Sequence, residues 1–212
     1  KVVERNKNEN IDSYKNLMPL LIKEGLTLAT MADVMKERVT VLNSNNNEQK
    51  AFWLDNYFHV GSGVAYNKGK LKVVPYAVPL LEVTSKTEVV NGAIVLNPDQ
   101  FYKMGGEEFT KQELEKAGFN KPLSESQAKA HPVWLALAEH DRNLLSAYVD
   151  GIFPEMKSKY NYNEGMGLWL ANLEGNQLTL RPWVVNGLYY WSNADGDINL
   201  YNNARLLGVE VR

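Results

Sequence analysis

The sequence of 212 residues contains no cysteine, and this absence excludes several kinds of site. Disulfides, zinc–thiolate centres, iron–sulfur clusters and cysteine nucleophiles all need thiol side chains. The absence does not fix a compartment, because a cytosolic protein and a protein on the surface of a particle can both be stable by packing alone. A chain of this length can bury a core large enough to fold without such cross-links.

An excess of charge of one sign is also missing. The chain has 23 Lys and Arg against 25 Asp and Glu, and a formal net charge of −2. Nucleic acid is usually bound by a clustered basic face, and no run of Lys and Arg occurs, so we expect no nucleic-acid partner. No apolar run approaches the roughly 18 residues of a transmembrane helix, so we also expect no membrane span.

Signatures of catalysis and of resident cofactors are missing as well. The three histidines, His59, His131 and His140, lack the spacing of a metal-binding helix. No GxSxG, P-loop or dinucleotide-binding pattern occurs. Carboxylates are plentiful, but no pair is marked as acid and base. We therefore expect a protein without a cofactor that is not an enzyme; a hydrolase or other enzyme on an α+β fold is the least favoured alternative.

The segment 195–199 has the look of a calcium loop. Asp195, Asp197 and Asn199 match the first three ligand positions of an EF-hand, but Leu200 stands where glycine is required and Leu206 where the terminal glutamate is required. We therefore predict no metal site of that kind, and a polar hairpin loop is the simpler interpretation. A calcium site of another design stays open, with the side chains Asn193, Asp195, Asp197 and Asn199.

Helix signals are concentrated near the start and in the middle of the chain. The pattern predicts a helix over 11–39, broken near Pro19 and Gly25. Two later helices have capping boxes, Thr110 with Glu113 and Ser124 with Gln127. The longest predicted helix covers 131–153, has Pro132 in its first turn and is stopped by Pro154.

Strand signals occupy the rest. Loose alternation predicts strands over 52–60 and 71–83, the second at an edge or a bulge because of its prolines, with a hairpin over 61–70 between them. Further short strands are predicted over 92–96, 167–173, 178–185, 187–192 and 204–212. Helices segregated from a mostly antiparallel sheet make an α+β fold, with the helices packed to one side. We divide the chain into an N-terminal helical segment, 1–45, and a main domain, 46–212.

The residues from 160 to 203 combine aromatic side chains with Asn, Ser, Gly and Asp. Tyrosine and tryptophan give a large contact area at low entropic cost, and the small polar residues give adaptable hydrogen bonds, as in antibody paratopes. The alternative is that these aromatic residues form core. We place Trp169 and Trp183 in the core and predict that Tyr189, Tyr190 and Tyr201 are exposed.

The C-terminal segment resembles the ligand-binding end of C-type lectin folds. The resemblance rests on the order RPWVV (181–185), GLYYWSNADGDINLYNN (187–203) and ARLLGVEVR (204–212). More narrowly, it is similar to the variable proteins of diversity-generating retroelements of phages, bacteria, and archaea and their viruses, here of the archaeal or viral type. In that family, adenine-specific mutagenic copying rewrites the 3′ end of the gene, and AAY codons, which encode Asn, are favoured targets. The resemblance implies a hypervariable region over about 165–203 and a fixed strand after it.

The resemblance also implies a role for individual positions. The variable residues that contact a ligand would be Asn186, Tyr189, Tyr190, Ser192, Asn193, Asp195, Asp197, Asn199, Tyr201, Asn202 and Asn203. The fixed scaffold would be Trp183, Leu188, Trp191, Leu200, Leu206, Leu207 and Val209. Trp191 belongs to the scaffold because mutation of an AAY codon at adenine cannot produce a tryptophan codon.

Together these features predict a ligand-binding protein with a C-type lectin-like fold and a diversified C-terminal surface. Its partner would be a protein or another cell-surface ligand, bound as a receptor in host attachment, which suggests a location on a virion or a cell surface. Two alternatives from other classes remain. One is a calcium-dependent, glycan-binding lectin, and the other is a structural virion or phage-tail protein without a diversified site. The sequence indicates no oligomeric state.

Overall fold

The computed structural model describes residues 13–201 and 203–210. Its helices are α1 (Tyr14–Lys23), α2 (Met31–Leu42), α3 (Asn47–Asp55), α4 (Val78–Leu81), α5 (Pro98–Lys103), α6 (Lys111–Ala117), α7 (Glu125–Ala130), α8 (Pro132–Leu137) and α9 (Arg142–Tyr160), followed by a 3-10 helix, Leu188–Tyr190. Its strands are β1 (Leu26–Leu28), β2 (Phe58–Asn67), β3 (Lys70–Val74), β4 (Val89–Val90), β5 (Ala93–Val95), β6 (Glu107–Thr110), β7 (Leu168–Trp169), β8 (Thr179–Val185), β9 (Ala194–Asp195) and β10 (Gly208–Glu210).

The main sheet is built around two long strands, β2 and β8. The strand order is β4-β5-β8-β2-β3-β6, and each neighbouring pair is antiparallel. β9 pairs with the end of β8 and, in parallel, with β7. Because β5 and β9 occupy opposite ends of the same edge of β8, the loop between β9 and β10 crosses the gap between them. The predicted α+β class with a mostly antiparallel sheet is confirmed.

Two hydrophobic cores lie on the two faces of this sheet, because successive side chains of a strand point to opposite faces. Val64 and Tyr66 of β2 face the larger core, into which the long helices α2 and α9 pack. Ala65 between them faces a smaller core, closed by α1, α4 and α5. Trp183 of β8 belongs to the larger core and is fully buried. Helices therefore pack against both faces of the sheet, and not to one side as expected from the sequence.

Capping chemistry places several helix ends where the sequence predicts them. Thr110 accepts from the backbone N–H of Glu113 and its backbone N–H donates to the Glu113 carboxylate, which makes a complete capping box at α6. Ser124 and Gln127 do the same for α7. Gly118 ends α6 with φ +95°, a conformation that favours glycine. These predictions are confirmed. They could be made from the sequence because the two partners of each cap are only three residues apart.

Other predicted elements differ from the structure. The helix expected over 11–39 is interrupted by β1, and the strand expected over 52–60 begins inside α3. The strand expected over 187–192 is instead a 3-10 turn, and β3 lies between β2 and β6 rather than at an edge. The long helix expected over 131–153 is divided into α8 and α9, and Pro154 lies inside α9. His140 and Asp141 therefore fall in the break between two helices.

The segment 1–45 is not a separate unit among the described residues. β1 pairs with β10, the last strand of the described chain, from Leu26 opposite Glu210 to Leu28 opposite Gly208. Met31 and Met35 of α2 are fully buried in the larger core. Residues before and after position 45 therefore share one core. Residues 1–12 lie outside the described part of the chain. None of the described helices has the length and apolar character needed to cross a membrane.

Candidate functional site

The C-terminal segment displays two tyrosines on a short turn after β8. Leu188 is fully buried and anchors the 3-10 helix, whereas Tyr189 and Tyr190 are 57% and 58% exposed. Trp191 and Ser192 follow in the left-handed region, with φ +56° and +51°. Two consecutive left-handed residues reverse the chain and direct it back into β9. The turn thus presents two aromatic side chains while its ends are held in the core.

Aromatic rings from the end of α9 support this turn. The rings of Tyr160 and Tyr162 are stacked at 5.6 Å, and Tyr162 is stacked on Trp191 at 5.1 Å. Tyr189 meets Tyr160 edge-on at 5.8 Å, and its neighbour Tyr190 at 5.0 Å. Such pairs stabilise by about 0.5–1.5 kcal/mol beyond the area they bury. The exposed tyrosines therefore belong to a ladder of five rings with limited freedom to reorient.

Tyr201 forms a second exposed group. It is 56% exposed, its hydroxyl donates to the Val89 carbonyl at 2.9 Å, and the Lys15 ammonium lies 5.6 Å from its ring centroid. Asn203 is exposed and forms an isolated bridge with Ser13. The Tyr57 hydroxyl donates weakly to the Asn203 carbonyl at 3.5 Å. Tyrosine and amide groups from distant parts of the chain meet here.

The α3–β2 loop lies between the two exposed groups. A Cβ added to Gly187, at the start of the turn, would come within 2.6 Å of the Asp55 carbonyl oxygen, so the turn rests directly on this loop. Two residues later, Tyr57 reaches Asn203, and the Arg205 guanidinium lies 5.8 Å from the Tyr57 ring. The α3–β2 loop thus contacts both groups. We give the name recognition surface to Asp55, Tyr57, Asn186, Tyr189, Tyr190, Tyr201 and Asn203, of which Tyr57 and Asn186 are half-buried.

Arg181 fixes the loop that contains the predicted polar contacts. It is 8% exposed, and its Nη1 donates to the Asn199 Oδ1 at 2.6 Å and to the Ile198 carbonyl at 3.1 Å. Its Nη2 donates to the Asn91 carbonyl at 2.5 Å. The Asp197 backbone N–H donates to an Asp195 carboxylate oxygen at 2.9 Å. Asp197 is exposed, but Asn199 is occupied by the guanidinium.

The surroundings of Asp195 favour its protonated form more than water does. Burial raises the pKa of the Asp195 carboxyl, and the nearby Asp197 carboxylate acts in the same direction. The hydrogen bond from the Asp197 backbone N–H and the charge of Arg181 lower it again. The Asp195 carboxyl is half-buried and accepts a hydrogen bond from the loop itself, so it stabilises the loop.

The predicted contacts at Ser192 and Asn193 are corrected by the structure. Ser192 is fully buried, and Asn193 is 5% exposed. The Ser192 hydroxyl bonds to Arg38 and Tyr148, and the Asn193 Oδ1 accepts from the Gly167 N–H at 2.8 Å. Both side chains point inward because the left-handed turn reverses the chain just before them. Asn186 is half-buried, and Asn202 lies outside the described residues.

The calcium alternative receives no support from the geometry. Within residues 13–201 and 203–210, no group of three His, Asp or Glu side chains is placed to hold a metal ion. Asn193 faces the core, and a guanidinium lies against Asn199, where its charge opposes a divalent cation. The segment 195–199 is also not a hairpin loop, because β9 pairs with β8 and β7. After β9 the chain crosses to Gly92, whose carbonyl accepts from the Leu200 N–H at 2.9 Å.

The predicted scaffold residues are mostly interior. Trp183, Leu188, Leu200 and Leu207 are at most 2% exposed. Trp191, Leu206 and Val209 are half-buried. The exposure predicted for Tyr189, Tyr190 and Tyr201 and the burial predicted for Trp183 are confirmed, whereas the contact role of the tyrosines stays a prediction.

Sequence reasoning missed the residues that hold this surface in place. Arg38 and Arg181 are buried or nearly so and donate only to oxygen atoms within the fold. Tyr57 comes from a segment that was predicted as a strand. The aromatic and Asn pattern did mark Tyr160 and Tyr162, but their stacking against Trp191 depends on packing that no local pattern encodes.

The comparisons with known proteins agree with this architecture. No protein-family model matches the chain, and no curated protein is significantly similar to it. The structure superposes on a solved structure described as the accommodation of massive sequence variation in Nanoarchaeota by the C-type lectin fold, with a TM-score of 0.72 and 17% sequence identity. The match covers 97% of this chain and 99% of that chain. The chain has a C-type lectin fold.

The two long strands and the recognition surface belong to the same C-type lectin fold. The likeness extends over nearly the whole chain, so the segment 13–45 belongs to the same fold as the rest. At 17% identity the likeness concerns the fold alone, and the residues of the recognition surface must be assessed from their own geometry.

One testable consequence concerns the loop held by Arg181. An Arg181→Leu variant should lose about 1.5–3 kcal/mol in the free energy of unfolding, because carbonyls at Asn91 and Ile198 lose a charged donor. Amide exchange at Leu200, whose N–H binds the Gly92 carbonyl, should accelerate beyond the global change. Urea titration and exchange mass spectrometry measure the two effects. Unchanged exchange at Leu200 would show that the guanidinium does not hold the loop.

Proposed function

We propose that this protein is a non-enzymatic binding protein that displays a diversified C-terminal recognition surface on a C-type lectin scaffold. Its ligand is a protein or another cell-surface molecule, and its role is attachment or reception, as in the variable proteins of diversity-generating retroelements. The observation that carries the proposal is the group of three tyrosines, Tyr189, Tyr190 and Tyr201, each more than half exposed although the backbone beneath them is fixed in the core.

The physical basis is a separation between support and display. Substitutions at exposed positions away from special features change stability by about 0.5 kcal/mol or less, so a surface of this kind tolerates diversification. Tyrosine contributes strongly to interfaces at low entropic cost, and a few such anchors dominate binding energy. The Nanoarchaeota protein of the same fold is described as accommodating massive sequence variation, which supports extending that property to this chain.

The test replaces Tyr189, Tyr190 and Tyr201 together by alanine. We expect binding to immobilised cell-surface proteins and glycans on an array to be lost. The free energy of unfolding should fall by about 1–3 kcal/mol, because the variant loses the ring contacts of Tyr189 with Tyr160 and Tyr190, at about 0.5–1.5 kcal/mol each. The array is first read with the unchanged protein to identify the spots that bind. Calorimetry with the strongest of them then measures the affinity of both proteins.

A matched control uses two exposed tyrosines that are not part of the recognition surface. Tyr76 and Tyr102 are 44% and 71% exposed and lie on the β3–α4 loop and on α5. Their joint replacement by alanine should leave the array pattern unchanged. Equal loss of binding in both variants would argue against a localised site. A stability loss well above about 3 kcal/mol in the first variant would exceed what these ring contacts supply and would show that its tyrosines are structural.

The nucleotide sequence tests the diversification separately. A template repeat that differs from the coding sequence at adenines, with a reverse transcriptase gene nearby, is the expected result. The codons of exposed positions such as Tyr189 and Tyr190 should then be the variable ones, and those of Trp183 and Leu188 constant. Absence of a template repeat would favour a structural virion or tail protein with a fixed surface.

A further inference from the structure

A buried arginine lies beneath the turn that displays Tyr189 and Tyr190. Arg38 stands in the second half of α2 and is fully buried. A charged group in the interior is costly unless it is paired or fully hydrogen-bonded. Among the described residues, no carboxylate lies within salt-bridge distance of Arg38. Its charge must therefore be stabilised by dipoles of the fold.

Those dipoles come from three parts of the chain. The guanidinium donates to the Trp53 carbonyl at 2.9 Å, the Asn56 carbonyl at 3.0 Å, the Tyr148 hydroxyl at 2.9 Å and the Ser192 hydroxyl at 3.1 Å. The Tyr148 and Ser192 hydroxyls also bond to each other at 3.0 Å. The planar fork of arginine suits such divergent acceptors, and the single ammonium of lysine does not.

Two of these partners, Asn56 and Ser192, lie next to residues of the recognition surface or in the turn that carries them. Asn56 lies in the α3–β2 loop between Asp55 and Tyr57, and Ser192 ends the 188–192 turn in a left-handed conformation. A residue other than glycine in that region persists only where its surroundings enforce it. The Ser192 hydroxyl is hydrogen-bonded to Arg38 and to Tyr148, and both bonds oppose an outward movement of Ser192.

We propose that Arg38 is the positioning residue of the recognition surface. Its guanidinium fastens the 188–192 turn to the α3–β2 loop, so that both are presented as one rigid unit whatever side chains stand at 189 and 190. The name of the surface rests on the proposed function, but the coupling of turn and loop does not. The recognition surface is accordingly composite, and its shape is fixed from the core rather than by the residues that vary.

The test is local amide exchange, which needs no ligand. The reporters are the N–H groups of Tyr190, Trp191 and Ser192, which bond to the carbonyls of Gly187 and Leu188. The reference is the β2–β8 ladder around Val64 and Arg181. In an Arg38→Met variant the reporters should exchange at least about tenfold faster relative to the ladder. The variant removes the charged donor of Ser192 and of the Asn56 carbonyl, so local opening of the turn becomes easier. The residues Asp55–Tyr57 should become faster together with them.

A milder pair keeps the proposal falsifiable if Arg38→Met does not fold. Ser192→Ala removes only the hydroxyl that receives the guanidinium, and Arg38→Lys keeps the charge but not the fork. Both should raise exchange of the turn relative to the ladder, by a few-fold to about tenfold. Unchanged relative exchange in Ser192→Ala would overturn the proposal, because the turn would then be held without the guanidinium.

Lys72 supplies a matched control. It is a second buried cation, 5% exposed, and donates to the Phe101 carbonyl at 2.9 Å beside the Glu108 carboxylate. A Lys72→Met variant should destabilise the chain and accelerate exchange around α5 without a selective effect on the 188–192 turn. If Lys72→Met and Arg38→Met change the turn equally relative to the ladder, Arg38 contributes only general stability and the proposal is wrong.

If the proposed function itself fails, these results still stand, because they concern backbone order. Conversely, a turn that exchanges independently of Arg38 would leave the tyrosines free to bind. The two proposals are therefore distinguished by which measurement changes: array binding for the tyrosines, and relative amide exchange for Arg38.

Discussion

A Trp183→Ala variant is expected to lose about 3–5 kcal/mol in the free energy of unfolding, which is the usual range for removing a buried large aromatic side chain. Trp183 is fully buried in the larger core, at the centre of β8. Its indole N–H donates to the Gly63 carbonyl at 3.1 Å, so the variant also leaves an interior carbonyl without its donor. Equilibrium unfolding in urea, monitored by circular dichroism, measures the loss.

The packing around Trp183 offers little scope for collapse into the cavity. A Cβ added at Gly196 would already lie 3.0 Å from the Trp183 ring, which shows how closely the β9–β10 loop approaches it. Leu188 and Ala194 close the same core and are fully buried. Because β2 and the β9–β10 loop both approach the indole closely, we expect the loss to fall in the upper half of the range and to loosen the β9–β10 loop.

Tyr190→Ala provides the contrast within the same segment. Tyr190 is 58% exposed and should cost no more than about 0.5 kcal/mol, apart from its edge contact with Tyr189. Two aromatic residues seven positions apart would then differ several-fold in their effect on stability. Comparable losses in the two variants would contradict the division of the segment into scaffold and display.

The sequence predicts best those features whose causes are local. The capping boxes of α6 and α7 are set by residues three positions apart, and Gly118 ends α6 through its own backbone freedom. The buried face Trp134, Leu137, Leu145 and Tyr148 follows helical spacing across the break between α8 and α9. The break itself was missed, since Glu139 and His140 reverse the chain in the left-handed region without glycine.

Elements that depend on distant partners could not be predicted in the same way. Leu26 and Thr27 continue the helical spacing of Thr30, Met31, Val34 and Met35, but they belong to strand β1 because β10 lies beside it. Pro154 is tolerated inside α9 because it sits on an exposed side of a helix held by its buried face. Tertiary packing overrides local preference in both cases.

The candidate site shows the same division. Composition was sufficient to predict that Tyr189, Tyr190 and Tyr201 are exposed, because polar neighbours surround them. It did not predict that Ser192 and Asn193 turn inward, since their orientation depends on the left-handed turn and on Arg38 and Gly167. Residues of the same polar type thus serve display at one position and support at the next.

The arrangement indicates which substitutions the proposed diversification would have to avoid. The polar residues that support the turn bind backbone groups or buried partners, so their replacement should be costly. Tyr189 and Tyr190 contact each other, and Tyr189 also contacts the half-buried Tyr160. Random substitution over 186–203 should therefore be tolerated at 189 and 190 and rejected at 192 and 193. Variation that follows this map would keep the scaffold of the C-type lectin fold unchanged.

The second large effect expected is a loss of stability in mild acid that depends on His59. Burial lowers the pKa of His59 from about 6.5 to about 3. The Arg205 N–H donates to its Nδ1 at 3.3 Å, and its Nε2 has no hydrogen-bond partner among the described residues. The rings of Tyr14 and Tyr57 lie beside it, at 6.0 Å and 5.9 Å between ring centroids. Among the described residues no carboxylate forms an ion pair with His59, and burial disfavours the imidazolium.

The sign follows from linkage. Between pH 6.5 and pH 3 the unfolded chain binds a proton at His59 and the folded chain does not, so the free energy of unfolding falls as the pH is lowered. Each pH unit within this window costs about 1.4 kcal/mol, which gives roughly 2 kcal/mol by pH 5. Burial also lowers the pKa of His131, which adds a contribution of the same sign. The contribution of His59 to stability is complete only well above pH 6.5, where the unfolded chain no longer binds the proton.

A His59→Gln variant isolates the contribution of His59, because glutamine keeps an acceptor for the Arg205 N–H and does not titrate. Urea titrations at pH 7, 6 and 5 should show a smaller fall for the variant, with a difference of roughly 2 kcal/mol between the two proteins at pH 5 after alignment at pH 7. The range stops at pH 5 because carboxylates begin to titrate below it. Parallel curves would show that His59 becomes protonated without unfolding, and hence that the ring reaches water in the folded chain.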